Sequence, residues 1–326
     1  MKKFLISAVI LSLFSTSIFA ARATAKFQSE SYTLNITYND TITPGNAIFA
    51  RMTVTIPKNH KKTKTDSERK AVLQLLQDKK IIESAPFYSI SKSKKQNASE
   101  MLCGIPVSLW LTEGNYSLKI VFSTPDEEIK EFILPSTLKM RDFNKETLVL
   151  DEKNTAIKTD NSPERAAQIE KLNNILFTTL PSDVYSLKHF TAPTESQRYT
   201  AWCGDRRIYQ YSSGKSSTSL HYGNDYGVPE GTEVRACAEG RIVMAESRIS
   251  TGWSIVIEHL PGLYSLYYHM SELKVKEGDM VKQGELIGKS GSTGLATGPH
   301  LHWEIRLNGS AVCPEYFLED FTFETE

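Results

Sequence analysis

The sequence predicts a mostly β protein, with an N-terminal β-sandwich, a connecting helix and a C-terminal all-β domain. Three observations lead to this prediction. Short alternating apolar runs fill the first half, one later segment has apolar residues at helical spacing, and the last third is rich in glycine, aromatic and β-branched residues. With 326 residues, of which 40% are apolar and 23% charged, the chain is long enough for two globular domains.

Residues 1–20 have the pattern of a secretory signal peptide. Lys2 and Lys3 precede an apolar stretch from Phe4 to Phe14, and small residues follow near Ala20. We expect cleavage after residue 20 or as late as residue 25. The apolar stretch is too short to span a bilayer, and no later segment reaches about eighteen uninterrupted apolar residues. The sequence therefore predicts an exported protein, periplasmic or extracellular, without a membrane span in its mature form.

Residues 27–150 are expected to form a β-sandwich of the immunoglobulin type. Turn sequences such as TPGN and TEGN separate short runs of alternating residues. These runs are SYTLNIT, AIFARMTVTI, VSLWLT, YSLKIVF, EIKEFIL and TLVL. The stretch 66–77 fits a helix or a strand equally well. We find no catalytic cluster in this part of the sequence, since His60 stands alone among lysines.

Residues 151–198 are expected to join the two domains. The stretch 151–162 is polar and is interpreted as a linker. A helix should follow, because Ser162 can cap a helix and Pro163 suits the first helical position. Pro181 should end it. Its apolar residues recur at helical spacing, namely at Ile169, Leu172, Leu176 and Leu180.

Charge and cysteine content restrict the partners and the redox chemistry. The 38 Lys and Arg residues balance the 38 Asp and Glu residues, so nucleic acid is not an expected partner. Basic clusters at 58–70 and 91–95 are interpreted as solvated loops, although they could attract an anionic cell-envelope polymer. The cysteines lack Cys-x-x-Cys spacing, which argues against a thiolate zinc site. We expect either one disulfide among Cys203, Cys237 and Cys313, with Cys103 free, or buried thiols throughout.

Histidines concentrate in the last third of the chain. In the stretch TGPHLHWE, His300 and His302 are two residues apart at the start of a predicted strand. Side chains alternate across a strand, so both imidazoles project to one face, with Cα atoms about 6.6 Å apart. A solvated pair is the alternative, and the neighbouring motifs decide between the two interpretations.

The stretch HYGNDYG brings a carboxylate into the same pattern. In a straight strand the Cα atoms of His221 and Asp225 would be about 13 Å apart, which is too far to share an ion. A bend is therefore required, and Gly223 can supply it. Two imidazoles and one carboxylate are a recurrent catalytic zinc site with a fourth position left for water. If His221, Asp225, His300 and His302 all bound the ion, the site would be closed and structural, whereas a spare imidazole would act as a base or acid beside the metal. The residues alone leave open which imidazole is spare.

Further motifs extend this pattern over residues 199–318. They are HYGNDYGVPEGTEVRACAEGRIV, GWSIVIEHLPGLYSLYYHMSEL, VKEGDMVKQGELIGKSGSTGLATGPHLHWEIRLNG and CPEYFL. In order and spacing they resemble the lysostaphin-type (LytM-like) zinc metallopeptidases, which cut peptidoglycan cross-links. The resemblance implies an all-β peptidase domain over 199–318, one Zn²⁺ per chain, peptidoglycan peptides as substrates and association with the cell wall.

The resemblance also assigns roles to individual residues. It implies that His221, Asp225 and His302 are the zinc ligands, and that His269 and His300 are the catalytic histidines. One of these two would accept a proton from water and pass it to the leaving amine, while the other stabilises the oxyanion.

For two polar residues near these motifs we expect roles outside catalysis and metal binding. Glu304 lies two residues after His302 on the same strand face and could orient it, but we expect an exposed strand carboxylate. His259 lies at a predicted strand end, and we expect a structural role for it.

The expected function is a zinc-dependent endopeptidase that hydrolyses amide bonds in peptidoglycan cross-link peptides. A catalytically silent relative that binds peptidoglycan or activates an amidase is the main alternative, but such relatives usually lose metal ligands. Non-haem iron oxygenases also use two histidines and one carboxylate, yet their first pair is usually spaced His-x-Asp. The N-terminal domain could bind an envelope protein partner, position the enzyme on the wall or restrain the groove.

Overall fold

The computed structural model describes residues 22–57, 69–90, 98–124, 127–178, 184–185, 187–320 and 323. The predicted signal peptide and most of the two basic clusters lie outside the described residues. Within the described ranges, no helix combines the length and apolar character needed to cross a membrane. The chain divides into two compact units, one ending at Met140 and the other beginning at Arg141.

The first unit consists of β-strands. They are β1 (Arg22–Gln28), β2 (Thr33–Asn39), β3 (Thr41–Ile42), β4 (Ala47–Thr55), β5 (Lys70–Gln77), β6 (Lys80–Pro86), β7 (Tyr88–Ser89), β8 (Ala98–Pro106), β9 (Tyr116–Thr124), β10 (Glu127–Leu134) and β11 (Thr137–Leu138). One antiparallel sheet has the order β1-β2-β4-β8-β7 and another the order β10-β9-β5-β6, while β11 pairs with β3 in parallel.

A shared hydrophobic core connects the two antiparallel sheets of the first unit. Leu34 of β2, Leu73 of β5 and Ile120 of β9 belong to one cluster, and all three are fully buried. Alternate residues of β2 and β4 face this core, as expected for strands with one buried face. Two sheets around one core are the layering of a β-sandwich. Its assignment to the immunoglobulin type stays a prediction.

Two segments of the first unit differ from the sequence-based expectations. The run VSLWLT was predicted to be a strand, but β8 ends at Pro106 and the chain then turns, with Leu111 N donating to Ser108 O at 3.1 Å. Its apolar residues Val107 and Leu111 are buried in the turn, so burial without a strand produced the alternating pattern. The ambiguous stretch 66–77 contains strand β5, and its residues 66–68 lie outside the described ranges.

The described residues of the second unit form two α-helices and a β domain. Its elements are β12 (Lys145–Val149), α1 (Glu152–Thr159), α2 (Pro163–Leu176), β13 (Tyr199–Ala201), β14 (Arg206–Gln210), β15 (Ser216–Leu220), β16 (Gly223–Tyr226), β17 (Glu233–Arg235), β18 (Gly240–Arg248), β19 (Gly252–Leu260), β20 (Leu263–Met270), β21 (Glu272–Leu273), β22 (Met280–Val281), β23 (Leu286–Lys289), β24 (Leu301–Leu307), β25 (Ser310–Val312) and a π-helical turn (Tyr316–Asp320).

The largest sheet of the second unit has the order β13-β16-β24-β20-β19-β18-β22, and β25 pairs with β24. Smaller sheets have the orders β12-β14-β15 and β17-β23-β21. Strands β19, β20 and β24 are buried along nearly their whole length, and Trp303, Tyr264 and Tyr267 are among the largest fully buried side chains. The mostly β fold predicted from the sequence is confirmed.

Helix α2 confirms one sequence-based start signal and corrects the predicted end. Ser162 Oγ accepts a hydrogen bond from Arg165 N at 3.2 Å, and Pro163 occupies the first turn. The helix ends at Leu176, before Pro181, because Phe177 leaves helical geometry as the C-cap. Leu180 and Pro181 lie outside the described residues.

The segment before α2 is structured, and the interpretation of 151–162 as a linker is wrong. Strand β12, which contains most of the TLVL run assigned to the sandwich, pairs in parallel with β14 instead. Helix α1 follows, and Asp151 Oδ1 caps it by accepting a hydrogen bond from Asn154 N at 2.7 Å. The sequence did not reveal α1 because the helix has no apolar stripe.

All four cysteines are buried and free, so the buried-thiol expectation is confirmed and no disulfide joins Cys203, Cys237 and Cys313. Burial raises the pKa of the Cys103 and Cys237 thiols, which disfavours their reactive thiolate forms.

His259 is buried within the second unit and has the structural surroundings expected for it. Its Nδ1 lies 2.8 Å from Glu239 O, and its Nε2 lies 2.7 Å from Ser265 Oγ. Since a carbonyl oxygen only accepts, Nδ1 carries the proton and Nε2 accepts from the serine hydroxyl. Burial lowers the pKa of His259 to about 4. The ring is therefore neutral at physiological pH.

This buried imidazole should make the second unit sensitive to acid. In the unfolded chain His259 binds a proton below about pH 6.5, but the folded state resists protonation until about pH 4, so stability falls as the pH drops through this window. Between pH 7 and pH 5 the wild type should lose about 2 kcal/mol more unfolding free energy than His259→Gln. Urea unfolding at both pH values measures this difference. His189→Gln, at an exposed histidine, is the control, and an equal loss in wild type and His259→Gln would contradict the assignment.

Candidate metal centre

Two neighbouring strands of the largest sheet position a carboxylate against an imidazole. Strands β16 and β24 are antiparallel, and their register places Asp225 directly opposite His302. Such cross-strand neighbours have Cβ atoms only about 4.5–5.5 Å apart. His221 lies in the break between β15 and β16, where its N donates to Asp205 O at 2.9 Å and its O accepts from Gly204 N at 2.7 Å. These backbone bonds turn the His221 side chain towards Asp225.

The three side chains present three ligand atoms to one point. His221 Nε2 is 3.0 Å from His302 Nδ1 and 3.1 Å from Asp225 Oδ1, and His302 Nδ1 is 2.8 Å from Asp225 Oδ1. In a tetrahedral zinc site with bonds of about 2.0–2.1 Å, ligand atoms are about 3.3 Å apart. The three atoms therefore form a triangle of nearly the right size for one zinc ion, and all three residues are buried.

Gly223 is needed here for a different reason from the one the sequence suggested. The chain departs from strand geometry at His221 and Tyr222, whereas Gly223 is the first residue of β16 and has no positive φ. A Cβ atom at Gly223 would lie 2.3 Å from Trp303 O and 2.8 Å from His302 Nε2. Glycine at this position therefore permits the close approach of β16 to β24, rather than the bend.

Gly223→Ala should therefore weaken metal binding. The added methyl would clash with backbone on β24 and push His302 away from Asp225, which we expect to lower zinc affinity by at least about tenfold and stability by about 1–3 kcal/mol. Competition with a zinc-binding dye measures the affinity. Gly298→Ala is the matched control, because a Cβ there meets no atom within 4 Å. Wild-type zinc affinity in Gly223→Ala would contradict this explanation of the glycine.

Each ligand side chain is fixed by a partner on its far side. His221 Nδ1 lies 2.9 Å from Trp202 O, and must donate to it, so Nε2 carries the free lone pair. His302 Nε2 lies 3.4 Å from Glu304 Oε2. The expectation that Glu304 is exposed is wrong, since only 2% of it is accessible and Arg306 pairs with it. Burial between an imidazole and a guanidinium makes Glu304 an orienting group.

Asp225 has an orienting partner that the sequence did not reveal. Arg207 Nη2 donates to Asp225 Oδ2 at 3.0 Å, which leaves Oδ1 directed at the two imidazoles. Arg207 also pairs with Glu146, which lies opposite it in the β12–β14 register. No local motif signals this chain of charges. It depends on strand β12, which lies more than 50 residues before the metal ligands in the sequence and pairs with β14.

The charges around the three ligands are strongly coupled. Burial alone would raise the pKa of Asp225, but His221 and His302 hold it well below its usual value. Burial would likewise lower the pKa of His302, but hydrogen bonds to Asp225 and Glu304 raise it to about 9. Burial dominates at His221 and lowers its pKa. The ionised carboxylate is thus held in the form that binds a cation.

His269 and His300 face the same groove without joining the ligand triangle. Their ring centroids are 4.7 Å apart, and His300 Nε2 is 3.8 Å from Asp225 Oδ1. His269 Nδ1 lies 2.7 Å from Thr293 O, and His300 Nδ1 lies 2.8 Å from Gly298 O. Because carbonyl oxygens only accept, both Nδ1 atoms carry protons, and in the neutral rings both Nε2 atoms are free to accept one.

His269 is held in an unusual state. Its backbone φ is 61°, an uncommon conformation for a residue with a side chain, and strained backbone of this kind clusters at functional sites. Burial, together with His300 and His302, lowers its pKa to about 3. His269 is therefore neutral at physiological pH, as a proton acceptor must be.

A groove of about 510 Å³ contains this whole set of groups. Its wall includes all five predicted site residues, namely His221, Asp225, His269, His300 and His302. The structure thus brings together every site residue predicted from the sequence. It adds Arg207 and Glu146, which support the ligands, and Lys158 and Arg198, which also line the groove.

Comparisons with known proteins agree with this geometry. Residues 219–314 match Peptidase family M23. The DD-carboxypeptidase/endopeptidase Mpg of Neisseria meningitidis serogroup B is 47% identical over 95 residues, which are 29% of this chain and 22% of that protein. The peptidoglycan DD-endopeptidase ShyA of Vibrio cholerae is 40% identical over 92 residues, or 28% and 21% of the two chains. The chain thus spans about a fifth of the length of these curated relatives.

A solved structure resembles a much larger part of the chain. A candidate M23 peptidase of Pseudomonas aeruginosa superposes over 86% of this chain and 96% of its own, with a TM-score of 0.53 and 19% identity. At this identity the likeness concerns the fold alone.

Proposed function

Since the C-terminal part of this chain, around residues 219–314, is a domain of peptidase family M23, we propose that the protein is a zinc-dependent endopeptidase of peptidoglycan cross-link peptides. We place the peptidase domain at residues 199–318. The observation that carries the proposal is the triangle of His221 Nε2, Asp225 Oδ1 and His302 Nδ1, with two further histidines beside it whose Nδ1 atoms face carbonyl oxygens. Relatives named as peptidoglycan DD-endopeptidases support the substrate class.

The residues divide the work of amide hydrolysis between them. His221, Asp225 and His302 would hold Zn²⁺, which supplies Lewis-acid polarisation of the scissile carbonyl and makes water more acidic. His269 and His300 each offer a proton acceptor at Nε2, so one can remove the proton of the attacking water and return it to the leaving amine. The other ring would stabilise the oxyanion by donating from Nε2 when it carries a proton there.

The proposal includes an exported location. The signal-peptide pattern of residues 1–20 and the substrate class both support the periplasm or the extracellular side of the envelope. The first unit would then contact the cell wall or an envelope protein partner.

A catalytically silent peptidoglycan-binding or amidase-activating protein is the less favoured alternative. Such a protein needs neither a preserved ligand triangle nor a pair of proton acceptors beside it. This chain keeps both, and Arg207 and Glu304 orient the ligands. Selection for binding alone gives no reason to retain the arrangement.

Digestion of purified peptidoglycan fragments tests the proposal. The mature protein should cleave cross-linked muropeptides, lose this activity after treatment with a chelator, and regain it with one equivalent of Zn²⁺ per chain. Mass spectrometry of the fragments identifies the cleaved amide bond. Zinc-loaded protein that leaves every cross-linked fragment intact would contradict the proposal and favour the silent alternative.

A further inference from the structure

One wall of the groove comes from outside the region that matches the peptidase family. Glu146 and Leu148 of β12 and Lys158 of α1 line the groove together with the metal-ligand residues. The pairing of β12 with β14 holds the strand in place, and Asn154 Nδ2 of α1 donates to Ala296 O at 3.4 Å. Ser212 N also donates to Thr155 Oγ1 at 3.1 Å. The helix that carries Lys158 is thus attached to the peptidase domain at two points.

Lys158 is a cation without an anionic partner. Among the described residues, no carboxylate oxygen lies within 4 Å of its Nζ, which stands 4.1 Å from the centre of the Tyr209 ring. Burial, followed by the nearby charges of Arg165 and Arg207, lowers the pKa of Lys158. A half-buried ammonium beside two guanidinium groups is in an unfavourable place, and a bound anion would relieve it.

The charge of the groove as a whole also favours an anion. Three acidic and three basic side chains line it, namely Glu146, Asp225, Glu304, Lys158, Arg198 and Arg207. Asp225 and Glu146 both form ion pairs with Arg207, and Glu304 forms an ion pair with Arg306. A divalent cation at the ligand triangle would add two positive charges. Arg207 offsets only one of Asp225 and Glu146, so the metal charge would offset the other, and Lys158 and Arg198 are then left to bind a ligand as positive charges.

We propose that Lys158 binds a free carboxylate of the substrate, so that the preferred substrates are peptides that carry a free carboxylate in the part bound by the groove. This inference rests on the proposed peptidase function and specifies its substrate class. Cell-wall peptides carry such carboxylates on acidic residues and chain ends. A charge-assisted bond from a half-buried ammonium is stronger than one between neutral groups, and it would orient the peptide along the groove.

A pair of synthetic cross-link peptides that differ only in this carboxylate and its carboxamide tests the inference. With zinc-loaded wild type, the KM of the carboxamide should be about tenfold higher than that of the acid, with similar kcat. Lys158→Met should raise the KM of the acid about tenfold and leave the carboxamide unchanged. Lys158→Arg should restore most of the preference, because it restores the charge.

Lys153→Met is the matched control, since Lys153 is an exposed lysine of the same helix and does not line the groove. It should leave the preference for the acid intact. The inference is overturned if Lys158→Met raises the KM of both peptides equally, or if Lys153→Met has the same effect as Lys158→Met.

Calorimetric binding of both peptides to zinc-free protein separates this inference from the proposed function. Binding needs no hydrolysis. If the zinc-free protein prefers the acid and this preference depends on Lys158, but the zinc-loaded protein shows no turnover, the peptidase function is refuted and the carboxylate site is retained. Equal binding of acid and carboxamide by the wild type would refute the carboxylate site, whatever the activity.

Discussion

Asp225→Ala is expected to lose bound zinc and peptidase activity together. Asp225 Oδ1 lies within 3.1 Å of a nitrogen of both His221 and His302, so its removal deletes one ligand and the only negative charge in the triangle. Loss of a group that merely orients a ligand costs about 10–100-fold in metal affinity, and loss of the ligand itself should cost more than about a hundredfold. Zinc analysis of dialysed protein and muropeptide cleavage measure the two effects.

His302→Ala should behave in the same way, since it removes another ligand atom. Glu230→Ala is a suitable control, because it removes an exposed carboxylate of the same unit. Full zinc content together with full activity in Asp225→Ala would mean that the metal is bound elsewhere.

His300→Ala and His269→Ala are expected to keep zinc and stop turnover. Neither imidazole contributes to the triangle of closest ligand atoms, so each variant should retain close to one zinc per chain. Each removes a proton acceptor from the groove, and loss of a general acid or base typically lowers the rate by about 10²–10⁴-fold. Metal analysis and kcat on one defined muropeptide separate the two properties. Loss of zinc from His300→Ala would instead make His300 a ligand and the site a closed, structural one.

The sequence was most informative where short-range geometry determines the site. The spacing of His300 and His302 places two imidazoles on one strand face, and the structure has both in the groove. Which one binds the metal came from the resemblance, because alternation alone treats the two rings alike. The choice depends on the register that pairs His302 with Asp225, and a β16–β24 register is not readable from either strand alone.

The supporting residues could not be predicted, because long-range pairing creates them. Glu146 was assigned to the N-terminal domain. It lies in β12, whose sequence does not show that the strand pairs in parallel with β14. Helix α1 was interpreted as a linker because its stability comes from the Asp151 cap and polar contacts rather than from an apolar stripe. Glu304 was expected to be exposed because a carboxylate is rarely buried, but Arg306 and His302 compensate its charge.

Gly223 shows that a correct residue can be noticed for the wrong reason. Its freedom of backbone conformation suggested a bend. In the structure, the absence of a side chain at Gly223 lets Trp303 O and His302 approach its backbone closely. The location of a close approach between strands depends on tertiary structure, whereas the presence of a glycine is visible in the sequence.

The position of zinc is the most direct test of the central claim. A crystal structure of the zinc-loaded protein, with anomalous diffraction data at the zinc edge, should show one strong peak per chain. We predict that the peak lies about 2.0–2.2 Å from His221 Nε2, Asp225 Oδ1 and His302 Nδ1, with His269 and His300 outside bonding distance. A peak bonded to other residues, or Asp225 turned away from an ion held by the two histidines, would contradict the account.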